Sequence, residues 1–193
     1  MKTGLITTLN TNIGDDFIRM GIQRILQSLN PKDRIEWVPI NKHKPETVWP
    51  RLHPKRRHLS LPTPFNNLVG HTLKNRFESC DLIVQCGAPV VWNGCSQCEW
   101  NGPLWQDVIA PLSSSVPVIN LAAGSAYPLS VQSEQLEGDD LKYIQSILGY
   151  CRLTTARDRL AQRLMQSAGT PVPLIPCSAC LALDPLDGEI ASR

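Results

Sequence analysis

Short apolar runs alternate with helix-periodic segments along this 193-residue chain, and most of the runs end in a turn carrying Gly, Asn or Cys. Gly4–Leu9, Arg34–Ile40, Asp81–Gln85, Val116–Leu121, Arg152–Ala156 and Val172–Ile175 read as strands. Between the first two, Phe17, Ile18, Gly21, Ile22, Ile25, Leu26 and Leu29 keep helical spacing, and Asn30-Pro31 stops the helix. Further helices are predicted near Phe65–Phe77, from Pro103 to about Ala110, over Glu134–Tyr150 and over Arg157–Ala168. Strands that are apolar throughout and separated by helices belong to a parallel sheet covered on both faces. The expected fold is therefore α/β: a single Rossmann-like three-layer domain with a mostly parallel sheet of about six strands, spanning residues 1–183. Residues 184–193 are expected to be a tail or the start of a second domain.

The composition, 42% hydrophobic and 19% charged, is that of a globular chain. No apolar run is long enough to span a bilayer. The N-terminus enters a strand without the apolar stretch of a signal peptide, so a cytoplasmic location is expected. Charge is unevenly placed. Between Asn41 and His58 six basic residues face one acid, Glu46; that segment carries +5 and the remainder −3. Five prolines between Asn41 and Pro64 exclude regular structure there and predict a long basic loop. Such a loop suits an anionic ligand, although charge runs are commonly just solvated. Little aromatic interleaving accompanies it, which argues against a nucleic-acid stacking surface.

Ligand sites of open α/β sheets form beyond the carboxyl ends of the strands. Two CxxC pairs are expected on that edge, Cys95/Cys98 and Cys177/Cys180. Together the four thiolates would hold zinc or an iron–sulfur cluster, with Cys86 as an additional ligand. Strand order decides whether they meet. In a flavodoxin-like order the third and sixth strands lie about 14 Å apart; in the order 3-2-1-4-5-6 they are at opposite edges. Reduced core thiols and redox-active pairs are the competing readings.

The turn Asn12-Ile13-Gly14-Asp15 opens the first helix. Its free N–H groups suit a phosphate or carboxylate, and Asp15 suits a general base; alternatively these residues simply cap the helix. Arg157-Asp158 poses the same choice between a substrate-facing arginine and a cap. Trp92, Trp100 and Trp105 flank the first CxxC, as a sugar-stacking surface or as a local apolar cluster.

These segments in this order resemble the N-terminal half of the polysaccharide pyruvyl transferase family, from about residue 4 to residue 183. The resemblance rests on Thr11-Asn12-Ile13-Gly14-Asp15 after the first strand, Asp81–Gly87, Val118–Gly124, Arg157-Asp158 and Cys177-Ser178-Ala179. The sequence departs from the family pattern where Thr11 replaces a glycine, Cys86 interrupts a glycine cluster and Cys177 replaces an aspartate. The resemblance implies a GT-B-like fold and transfer of a pyruvyl group from phosphoenolpyruvate to a saccharide or other anionic small-molecule acceptor. It also implies an activity that would be incomplete without a second domain. Asp15 would be catalytic, and Asn12, Gly14, Gly87, Gly124 and Arg157 would bind substrate. The alternative is a non-catalytic, four-cysteine interaction module on the same scaffold, in either case open to oligomerisation.

Overall fold

The computed structural model describes residues 1–9, 12–42, 77–87, 89–98, 102–127 and 135–183. The basic segment beyond Lys42, the helix expected over Phe65–Phe77 as far as residue 76, and residues 184–193 lie outside the described residues.

Five parallel strands stand in the order β2-β1-β3-β5-β6: β1 (Lys2–Thr7), β2 (Glu36–Asn41), β3 (Leu82–Cys86), β5 (Val118–Ser125) and β6 (Leu153–Ala156). A short strand, β4 (Pro89–Val91), pairs with Gly124 and Ser125 at the end of β5. The sixth expected strand is reduced to one bridge, Leu174 to Ala156, beyond β6. This is the flavodoxin-like order. The chain leaves β1 towards β2 on one side and returns to β3 on the other, so the crevice between β1 and β3 is the topological switch point.

Neighbouring residues of a strand face opposite ways, and the core divides accordingly. Leu5, Val84 and Cys86 face the layer of α1 (Ile13–Leu29), which buries Ile18, Ile22 and Leu26 against them. Ile6, Ile83 and Val118 face the other layer, built from α2 (Gly138–Tyr150), α3 (Arg159–Ser167) and a π-helix, Gly102–Ile109. Tyr143, Ile144, Ile147, Leu164, Met165, Leu104 and Trp105 are buried there. Each such aliphatic or aromatic side chain contributes about 1.5–3 kcal/mol on burial, so two apolar helix stripes suffice to hold the sheet between them.

The segment after β6 crosses back to the α1 layer. A 3₁₀ turn, Ser178–Leu181, lies on α1 at Gly21, where a Cβ would run into the Ser178 carbonyl. Ser178 Oγ donates to the Ile18 carbonyl (3.1 Å) and Arg24 Nη1 to that of Leu181 (3.1 Å). Among the described residues no helix is long and apolar enough to cross a membrane.

Candidate functional site

Asn12 caps α1. Its backbone is extended, and its side-chain oxygen accepts from Gly14 N at 3.0 Å. Aspartates in the first helical turn are favoured by the helix dipole, and here there are two, Asp15 and Asp16. They part company at once. Asp16 turns to Arg19 (2.9 Å) on the surface, whereas Asp15 is 4% exposed and is ion-paired to Lys42 Nζ at 3.2 Å. Lys42 follows β2 directly, and its backbone N–H donates to the Thr7 carbonyl at the end of β1. The pair thus ties the start of α1 to the carboxyl ends of β1 and β2.

Gly87, Gly124 and Arg157 meet across the ends of β3, β5 and β6. Arg157 Nη1 donates to the Gly87 carbonyl at 2.8 Å. Its guanidinium lies against Gly124, where a Cβ would sit 2.5 Å from Nε, so only glycine leaves the arginine its place. Gly87 has a φ of 51° and admits no side chain beside Ile18. Among the described residues the Arg157 guanidinium makes that one hydrogen bond and no ion pair. Asp158 does the structural work beside it: it caps α3 through Ala161 N (2.7 Å) and holds Ser125 N (2.8 Å) and Ser125 Oγ (2.9 Å). The capping reading of Arg157-Asp158 thus holds for Asp158.

Burial depresses the pKa of the Lys42 ammonium against the attraction of Asp15, and the positive charge of Arg157 acts in the same direction as burial. Among the described residues, Lys42, Arg157 and the Asp15 carboxylate thus share the rim at the switch point, next to the N-terminus of α1. Such a site favours an anion. Sequence reasoning assigned Lys42 only to the basic loop. Its position immediately after the second strand, on the ligand edge, was the available signal.

The cysteines are arranged otherwise than expected. The strand order is the favourable one, yet the two CxxC pairs pack on opposite faces of the sheet. Cys95 and Cys98 belong to the layer of α2 and the π-helix, and Cys177 packs in the α1 layer with Cys86. Among the described residues no group of three or more His, Cys, Asp or Glu is placed to hold a metal ion. The site expected at Cys95, Cys98, Cys177 and Cys180 for zinc or an iron–sulfur cluster is not assembled among the described residues, because the sheet stands between Cys95/Cys98 and Cys177. Cys95 is engaged elsewhere. Its thiol, pushed up to about 12 by burial, points at Asp140 Oδ1 (3.6 Å). Burial works to raise the Asp140 carboxyl, but hydrogen bonds from Ser96, Gly94 and Cys95 outweigh it and hold the carboxyl below its usual range. The first CxxC is thus a turn pinned to the start of α2. Of the tryptophans, Trp105 is fully buried and Trp92 packs on the same cluster, while Trp100 lies outside the described residues.

No curated protein matches the sequence. The family model for polysaccharide pyruvyl transferase matches it from residue 12 to residue 193, a span that includes the α1 cap, the Asp15–Lys42 pair and the Arg157 rim. With the parallel sheet in place beneath those residues, the chain belongs to the polysaccharide pyruvyl transferase family.

Proposed function

We propose that this protein transfers a pyruvyl group from phosphoenolpyruvate to a saccharide hydroxyl, with the rim between β1 and β3 as its substrate site. The observation that carries the reading is the Arg157 guanidinium, held on the Gly87 carbonyl close to the buried Asp15–Lys42 pair at the switch point. Forming the pyruvyl ketal breaks the donor's bond between its central carbon and the phosphate oxygen and forms two bonds from that carbon to two hydroxyl oxygens of the sugar. One hydroxyl proton ends on the donor's methylene carbon, which becomes a methyl; the other passes through a base to the departing phosphate, which must be held. Arg157, anchored by one nitrogen on Gly87 with its other donors uncommitted among the described residues, suits a carboxylate or phosphate oxygen. Asp15, steadied by Lys42, is the proton acceptor.

The anionic group at the rim comes from phosphoenolpyruvate or from a phosphorylated or nucleotide-linked acceptor. The test is to incubate the protein with phosphoenolpyruvate and a panel of free, phosphorylated and nucleotide-linked sugars, following phosphate release and the mass of the sugar product. The expected result is phosphate and a pyruvylated sugar in equal amounts, lost in Asp15→Asn and Arg157→Ala. Absence of both products with every acceptor contradicts the proposal.

A further inference from the structure

We infer that Thr155 is a positioning residue for the arginine of the rim: its hydroxyl fixes a bulge in β5 on which both the backbone and the guanidinium of Arg157 are hung. The inference rests on the reading of the rim as the substrate site. Pairing between β5 and β6 runs to Asn120 with Thr154 and resumes at Ala123 with Ala156. Leu121 and Ala122 therefore stand opposite the single residue Thr155, which is the arrangement of a β-bulge. Ala122 has a φ of 54°, the one positive φ outside glycine among the described residues. That region is unfavourable for a residue with a Cβ and persists only where the surroundings impose it. Here the tie is explicit. Ala122 is fully buried, and its N–H donates to the buried Thr155 Oγ1 at 2.9 Å. Glycine would take this φ without strain, whereas alanine makes the bulge depend on the hydroxyl.

Each residue of the bulge meets the arginine. The Leu121 carbonyl accepts from Gly87 N (3.0 Å), and the Gly87 carbonyl accepts from Arg157 Nη1 (2.8 Å). The Ala123 carbonyl accepts from Arg157 N (3.0 Å). Gly124 supplies the bare backbone against which the guanidinium lies. Register decides whether these contacts coincide. If the bulge closed, pairing would slip by one residue and Ala123 would come into the place of Gly124. A methyl there would meet the guanidinium, since a Cβ at that place lies 2.5 Å from Nε. Thr155 touches neither the guanidinium nor a ligand; it acts through the shape of β5.

The arginine is read first and the ligand second, so that this inference and the rim reading fail separately. In the ¹H–¹⁵N spectrum of the whole chain, the Arg157 Nε–H is assigned by its loss in Arg157→Lys. Thr155→Val keeps the shape and removes the acceptor. It is expected to displace the Arg157 Nε–H and Gly87 amide signals and to weaken phosphoenolpyruvate binding, read by calorimetry, by roughly three- to tenfold. Thr155→Ser keeps the hydroxyl and is expected to match the parent in both. Adding Ala122→Gly to Thr155→Val is expected to restore both, because glycine no longer needs the tie. Thr155→Cys, whose sulfur accepts only weakly, is the milder variant and is expected to displace the same signals by less. Arg157 and Gly87 signals at their parental positions in whichever of the valine and cysteine variants folds would overturn the inference. So would equal displacement in Thr155→Ser and Thr155→Val. A parent that fails to bind phosphoenolpyruvate, with the signals displaced as expected, would count against the rim reading alone.

Discussion

At the scale of single residues, the Asp15–Lys42 pair matters most. Both side chains are about 95% buried, so removing one partner leaves a charge without compensation. Lys42→Met is expected to destabilise the fold by about 3 kcal/mol, read by denaturant titration. Lys42→Met combined with Asp15→Leu should recover most of that loss, because an apolar pair costs no desolvation. Cys95 supplies a pH dependence. In the unfolded chain its thiol ionises near the ordinary 9.0; in the fold it keeps its proton to about 12. The unfolded chain therefore loses the proton first, and the folded state is favoured fully below pH 9 and progressively less towards pH 12. Unfolding free energy should fall over that window, and fall less steeply in Cys95→Ala than in the parent.

At the scale of elements, the close approach of the 3₁₀ turn Ser178–Leu181 to α1 depends on Gly21. Gly→Ala inside a helix is worth up to about 1 kcal/mol in propensity. Here the new methyl would collide with the Ser178 carbonyl, a backbone atom that cannot rotate aside. Overpacking of that kind costs about 1–3 kcal/mol, so Gly21→Ala is expected to lower the melting temperature despite the better helix former. Asp158 joins the start of α3 to the end of β5 through three hydrogen bonds. Asp158→Ala should cost about 2 kcal/mol, the upper end for a helix cap, in thermal unfolding. An unchanged melting temperature would mean that Ser125 finds another partner.

For the whole molecule, most of the parallel sheet was legible in the sequence because buried strands are apolar on both faces. The strands expected over Asp81–Gln85 and Val116–Leu121 are present as Leu82–Cys86 and Val118–Ser125. The helix started at Pro103 is present with π rather than α winding, and the short β4 gave no signal in three residues. The cap at Asn12 and the glycines at 87 and 124 were legible because local backbone chemistry demands particular residues. Lys42 was not, since its partner lies 27 residues earlier and meets it only when β1 and β2 align. The faces of the two CxxC pairs were not legible either. A spacing gives the reach of a loop, whereas the layer it packs in depends on the path of the whole chain. The proposed function rests on the sheet's bringing Lys42 and Arg157, 115 positions apart in the sequence, to one rim. Calorimetric titration with phosphoenolpyruvate tests this most directly. Binding to the parent protein should weaken by about ten- to hundredfold in Arg157→Ala, as a charge-assisted hydrogen-bonding group is removed. Equal affinity of the parent and Arg157→Ala, or no heat of binding from the parent at all, would contradict an anion site at the rim.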